Sequence, residues 1–208
     1  MSVNVPSDLV KKLRDITNAG IMECRNALIK AELDMDKAQE ILRQRGAEKA
    51  EKKKDRATNS GKIEAYIHMN RIGVLVEVNC ETDFVAKNEM FLTLTKDIAM
   101  QIAAQAPEFV SRENIPSDVI EKQREIIKQL VIDENKDKPK PDDIIEKIAV
   151  GKFDKYCQSV CLLEQAFIKD QNKKVSDIIK EAVGTIGENI SVRRFVRYSL
   201  GESLGQAE

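Results

Sequence analysis

Residues 63–84, IEAYIHMNRIGVLVEVNCETDF, carry the change of period that decides the fold. Ile63, Ala65, Ile67 and Met69 alternate with Glu64, Tyr66 and His68; further on, Val74, Val76 and Val78 alternate with Leu75, Glu77 and Asn79. Period-two alternation puts one set of side chains on each face of a strand. The stretch therefore predicts a β-hairpin with one face on a core, turned by NRIG at 70–73. Two strands alone are rarely stable in water. A third is needed, and VRRFVRYSL at 192–200 is the segment expected to return and pair with the hairpin.

On the N-terminal side the period is helical. Leu9, Val10, Leu13 and Ile16 form one stripe, Ile21, Cys24, Leu28 and Ala31 a second, and Ala38, Ile41 and Leu42 a third, with Asp34 or Asp36 as its cap. Few large apolar residues are available, so this three-helix domain, residues 1–54, is small and of marginal independent stability. EKKKDRATNSGK at 51–62 reads as a helix end fraying into a linker.

The second domain is expected over 55–208, with a helical segment 89–188 between the second and third strands. There Phe91, Leu94, Ile98 and Ile102 share one stripe, and Val119, Ile120, Ile126, Ile127, Leu130 and Val131 another. NKDKPKPDD at 135–143, with Pro139 and Pro141, interrupts the helices, which resume afterwards. The fold class is α+β: a helical N-terminal module and helices packed on a small three-stranded antiparallel sheet.

Composition narrows the function classes. Charged residues are 33% of the 208, yet the formal net charge is −1, which argues against a protein built wholly to grip nucleic acid or an anionic membrane. No apolar run approaches bilayer-spanning length, and MSVNVPSDLVKKLRD lacks the apolar core of a secretory signal, so a cytoplasmic chain is expected. Cys24, Cys80, Cys157 and Cys161 are too scattered for a disulfide framework and read as reduced thiols near the core.

Catalytic and metal constellations are not found. His68 is the one histidine, on the outward phase of its strand, and the spacing supplies no nucleophile or second ligand for it. Cys157 and Cys161 share a helical face, but no further pair completes a tetrahedral metal set. The glycines form no phosphate-binding loop. Lys49, Lys52, Lys53, Lys54 and Arg56 are interleaved with Glu48, Glu51 and Asp55, as on a solvated helix end, and RRFVRY at 193–198 reads as an amphipathic edge strand.

Phe84 remains. Spacing alone favours a core aromatic at a helix start, capped by Thr82 and folded back onto Phe91 or Val85. The polar run Asn79, Cys80, Glu81, Thr82, Asp83 points the other way, since an aromatic beside a charged guard has the character of an interface anchor.

TNAGIMECRNAL at 17–28, VEVNCETDFVAKN at 76–88 and CLLEQAFIKD at 161–170, taken together and in that order, resemble the bacterial translation elongation factor Ts family over nearly the whole chain. The resemblance implies a guanine-nucleotide exchange factor that binds elongation factor Tu and speeds GDP release, with no cofactor and no chemistry on bonds. It implies an N-terminal module like ubiquitin-associated domains. It places a wedge at Phe84, entering a pocket of the partner's G domain and disturbing its magnesium site, with Thr82, Asp83 and Val85 around it. Leu13, Ile21, Met22 and Arg25 are the implied contacts from the N-terminal module. The chain resembles the short form of the family, for which a homodimer is expected, with Cys157 or Cys161 as candidate interface residues. TNAGI stands where T-G-A-G-M is commoner, and Ala166 where proline is usual.

Two other readings stay open on sequence: a peptide-binding module attached to an enzyme, for which residues 60–200 offer no catalytic constellation, and a ribosome-associated RNA binder using the basic clusters at 49–56 and 193–197.

Overall fold

The computed structural model describes residues 5–136 and 140–202; Pro139 of the expected proline break lies outside them. The chain opens with α1 (Ser7–Thr17), α2 (Ile21–Lys30) and α3 (Met35–Glu51). Next come β1 (Ser60–His68), β2 (Ile72–Cys80), α4 (Asp83–Ala86), α5 (Glu89–Gln105), α6 (Ser117–Glu134) and α7 (Asp142–Val160). The last elements are β3 (Ala166–Phe167), β4 (Asp170–Lys174), α8 (Val175–Ile186) and β5 (Ile190–Ser199). Antiparallel strands β1, β2 and β5 form one sheet in that order, so the fold is α+β as expected.

The first three helices close on a core of small residues: Val10, Leu13, Cys24, Ala27, Leu28, Ala31 and Ala38 are buried together. Alanines in those positions bring the helices close and favour the helix at the same time. α1 stops at Asn18, whose left-handed φ of 54° turns its N–H back onto the Arg14 carbonyl. α3 starts on Asp34, whose carboxylate accepts the Lys37 N–H at 3.0 Å. The same geometry leaves Ile16 and Ile21 exposed, although both sit in the expected apolar stripes.

The hairpin differs from expectation in its turn and in its cover. The turn is Met69–Asn70, both at positive φ (48° and 56°), closed by the Arg71 N–H donating to the His68 carbonyl at 2.9 Å. Such a turn matches the twist of the strands and fixes the register. A side chain at Gly61 would collide with the Val78 carbonyl, and its φ of +151° also requires glycine. Val74, Val76 and Val78 are buried as the alternation predicts, but Ile63, Ile67 and Met69 are exposed. The expected phase is corrected in β1, an edge strand: Lys62, Glu64 and Tyr66 are its half-buried set, and among the described residues nothing covers the apolar set.

The segment expected to be helical from 89 to 188 also contains the β3–β4 hairpin, whose polar strand DQNKK shows no alternation. Gln101 on α5 fastens it: the buried amide donates to Gln165 Oε1 and the Ala166 carbonyl, and its oxygen accepts the Ile168 N–H. The described chain divides into two compact units, one of residues up to Ile63 with Glu77–Thr95 and Asp177–Val192, the other of Glu64–Val76, Lys96–Ser176 and Arg193 onward.

Candidate functional site

β2 ends at Cys80, and the chain turns into α4, a helix of only 4 residues. Thr82 is its cap, in an extended conformation, with its hydroxyl oxygen accepting the Val85 N–H at 3.4 Å. An isolated turn of helix is unstable, because nucleation fixes several dihedrals for one hydrogen bond. Side chains from elsewhere hold it. The Glu188 carboxylate accepts both the Thr82 N–H (3.0 Å) and the Thr82 hydroxyl proton (2.7 Å). The Ser60 hydroxyl donates to Asp83 Oδ1 at 2.8 Å, and the Asn189 N–H donates to Glu81 Oε1 at 2.7 Å. Behind the turn, the Cys80 thiol donates to the Thr82 carbonyl.

The result sets aside the core reading of Phe84. Its side chain is 89% exposed, while Phe91 is wholly buried. Val85 and Ala86 take the half-buried side of α4, so the ring is left on the solvent side. Asp83 and Thr82 flank it, exposed, their polar atoms already bonded.

Of the four residues implied in the N-terminal module, the structure presents three on the surface. Ile21 and Met22 (62% exposed) open α2, and Arg25 follows one turn on. Ile16, in the last turn of α1, adds an exposed apolar side chain that the stripe reading had assigned to the core; α1 ends at Thr17, so no further turn covers it. Leu13, the fourth, is completely buried in the three-helix core, beneath that surface. It supports the surface that α1 and α2 present. This surface and α4 belong to the same compact unit.

The residues weighed for chemistry are accounted for otherwise. His68 is exposed, 3.0 Å from the Tyr66 hydroxyl and stacked on its ring. Among the described residues no group of His, Cys, Asp and Glu could hold a metal ion. All four cysteines are free and buried. Burial pushes the Cys161 thiol up to about 11 and raises Cys24, Cys80 and Cys157 as well, which keeps them protonated and unreactive. Cys157 and Cys161 pack with Ile115 and Val160 inside their own chain, so an interface role for them does not stand.

The basic cluster is occupied internally: Lys49 pairs with Glu23, Lys54 with Glu51, Lys53 donates to the Gly187 carbonyl, and Arg56 lies 3.5 Å from Glu81. Arg197 donates to the Ala103 carbonyl and pairs loosely with Glu202. Among the described residues no helix is long and apolar enough to cross a membrane.

Comparison with known proteins agrees along the whole chain. A family model described as Elongation factor TS matches residues 3–202. The chain is 51% identical over 205 residues to elongation factor Ts of Carboxydothermus hydrogenoformans, covering 98% of this chain and 93% of the relative. It is 51% identical over 201 residues to elongation factor Ts of Thermotoga petrophila, covering 96% of this chain and 98% of the relative. The same identity over 201 residues relates it to elongation factor Ts of Anaeromyxobacter sp., with 96% and 90% covered.

Proposed function

The chain belongs to the elongation factor Ts family, and from that premise we propose that this translation elongation factor is a guanine-nucleotide exchange factor for elongation factor Tu. It acts by binding alone, in the cytoplasm, and makes or breaks no covalent bond. The observation that carries the reading is Phe84: a large apolar ring held in solvent on a short helix that Glu188 and Ser60 fasten through Thr82 and Asp83.

The mechanism is linkage. If the factor binds the nucleotide-free GTPase more tightly than the GDP-bound form, GDP binds the complex more weakly by the same ratio. Phe84 supplies part of that difference, with Thr82, Asp83 and Val85 around it, when it enters a pocket of the G domain and disturbs the magnesium site there. Burying a phenylalanine contributes about 2 kcal/mol, enough for a hot spot and too little to hold a complex alone. The remainder comes from the N-terminal module, residues 1–54, which resembles ubiquitin-associated domains and offers Ile21, Met22 and Arg25, with Leu13 beneath them.

We infer a homodimer from the second unit. Ile67, Leu75, Val196 and Tyr198 are exposed on its strands, and β1 is an unprotected edge. Edge strands with apolar side chains invite pairing or packing with another chain. A second copy is the occupant expected for the short form of the family.

The test is release of a fluorescent GDP analogue from elongation factor Tu followed by stopped flow. Acceleration that saturates with the concentration of this chain is the expected result; a release rate independent of it removes the proposal.

A further inference from the structure

Resting on the exchange reading, we propose that Glu188 and Asn189, in the turn between α8 and β5, are the positioning residues of the Phe84 wedge and set its place relative to the N-terminal module.

The turn grips the loop twice, in opposite senses. Glu188 holds Thr82 through its side chain: one carboxylate oxygen takes the backbone N–H and the other the hydroxyl proton. Asn189 holds Glu81 through its backbone, the N–H donating to Glu81 Oε1. Because the Thr82 proton goes to Glu188, the hydroxyl lone pairs are turned toward the Val85 N–H, and the cap of α4 is thereby oriented. Phe84 sits between the two ends of that relay, Thr82 and Val85. A carboxylate acceptor makes such bonds shorter and stronger than neutral ones.

The same turn holds the other element. The buried Asn189 amide donates to the Lys54 carbonyl at 3.0 Å and the Arg56 carbonyl at 2.8 Å, taking the chain as it leaves α3. Lys53 donates to the Gly187 carbonyl, and Gly187 has a φ of +88° that lets the turn form. One turn earlier, α3 and α8 cross at Gly46 and Gly184: a Cβ on Gly184 would lie 2.6 Å from the Gly46 Cα. The α3 end and the wedge loop are thus anchored on one turn, all within one compact unit. A two-point contact with a GTPase needs that spacing in advance, since any fraction of molecules with the loop misplaced lowers apparent affinity by the same fraction.

The experiment measures exchange efficiency, the initial slope of GDP-release rate against factor concentration, for Glu188→Ala, Glu188→Gln and Phe84→Ala, and for Glu188→Ala combined with Phe84→Ala. Folding is checked by circular dichroism, and amide hydrogen exchange is followed across the full chain. Glu188→Ala is expected to lower efficiency about tenfold, by populating misplaced loops. It should do so by less than about twofold when Phe84 is already alanine, because residues that act through one another are not additive. Glu188→Gln, which still offers an acceptor to the Thr82 N–H, should stay within about threefold of the native chain. Amide exchange should quicken at 81–88 and stay unchanged in α1–α3.

An equal loss in both backgrounds, or no loss in the native one, overturns the inference. So does quickened exchange spread evenly over the chain, the mark of a merely structural role. If Phe84→Ala itself keeps full stimulation, the wedge role of Phe84 fails and the positioning role falls with it, while the exchange reading fails only if the native chain gives no stimulation; loss in Phe84→Ala with none in Glu188→Ala sinks the positioning role alone.

Discussion

Phe84 and Phe91 stand a short way apart on consecutive helices and meet opposite environments: Phe91 has no solvent exposure, Phe84 has 89%. Both are the same apolar ring, so the difference is made by the backbone beneath them. α4 is too short to carry an inward face of its own, and the bonds from Glu188 and Ser60 hold it so that Val85 turns inward and Phe84 outward.

Phe84→Ala should therefore leave stability within about 0.5 kcal/mol, as for other exposed substitutions. It should slow stimulated GDP release by roughly thirtyfold, the equivalent of about 2 kcal/mol of lost burial in the partner. Stopped flow and urea unfolding on the same preparation check both halves.

Phe91→Ala is the mirror experiment. Removing a wholly buried ring leaves a cavity and should cost about 3–5 kcal/mol of folding free energy. Its exchange activity, measured well below the lowered unfolding midpoint, should fall by less than that of Phe84→Ala.

In the N-terminal module, Met22→Asp should weaken binding to elongation factor Tu without altering the circular dichroism spectrum, because Met22 is on the surface. Leu13→Ala should instead destabilise the module by about 2–5 kcal/mol, the cost of truncating a buried leucine. Titration calorimetry and thermal unfolding separate the two outcomes.

Ile67→Asp places a charge on the exposed edge strand and should shift the sedimentation coefficient of the chain toward the monomer. A sedimentation profile identical to the native chain across micromolar concentrations would mean that β1 takes no part in self-association.

The buried thiols set an alkaline limit. The Cys161 pKa is raised by burial from 9.0 to about 11 in the folded chain, so the unfolded chain loses its proton first as pH rises. Unfolded chains then bind fewer protons than native ones, and stability falls as pH climbs from 9 toward 11. Urea midpoints should decline across that window, and iodoacetamide should label the native thiols slowly at pH 8 and readily in denaturant.

How much of this was legible beforehand follows from the range of each interaction. The helical stripes, the hairpin and the returning third strand are patterns of near neighbours, and the motif around Phe84 is contiguous, so these were readable. The β3–β4 hairpin was not, because its strand carries polar residues and is held by the distant amide of Gln101. Leu13 and Ile16 lie on one stripe, and which of them the neighbouring helices cover is settled by packing alone. The grip of Glu188 on Thr82 spans 106 positions and leaves no local trace.

By itself the order of apolar and polar residues determined the main helices and the strands of the three-stranded sheet, though not the β3–β4 hairpin, because backbone geometry sets those periods at 3.6 and 2. Only the tertiary structure decided which apolar residues the protein keeps and which it offers. Burial depends on what arrives from elsewhere in the chain, and among the described residues nothing arrives over Phe84, Met22 or Ile67.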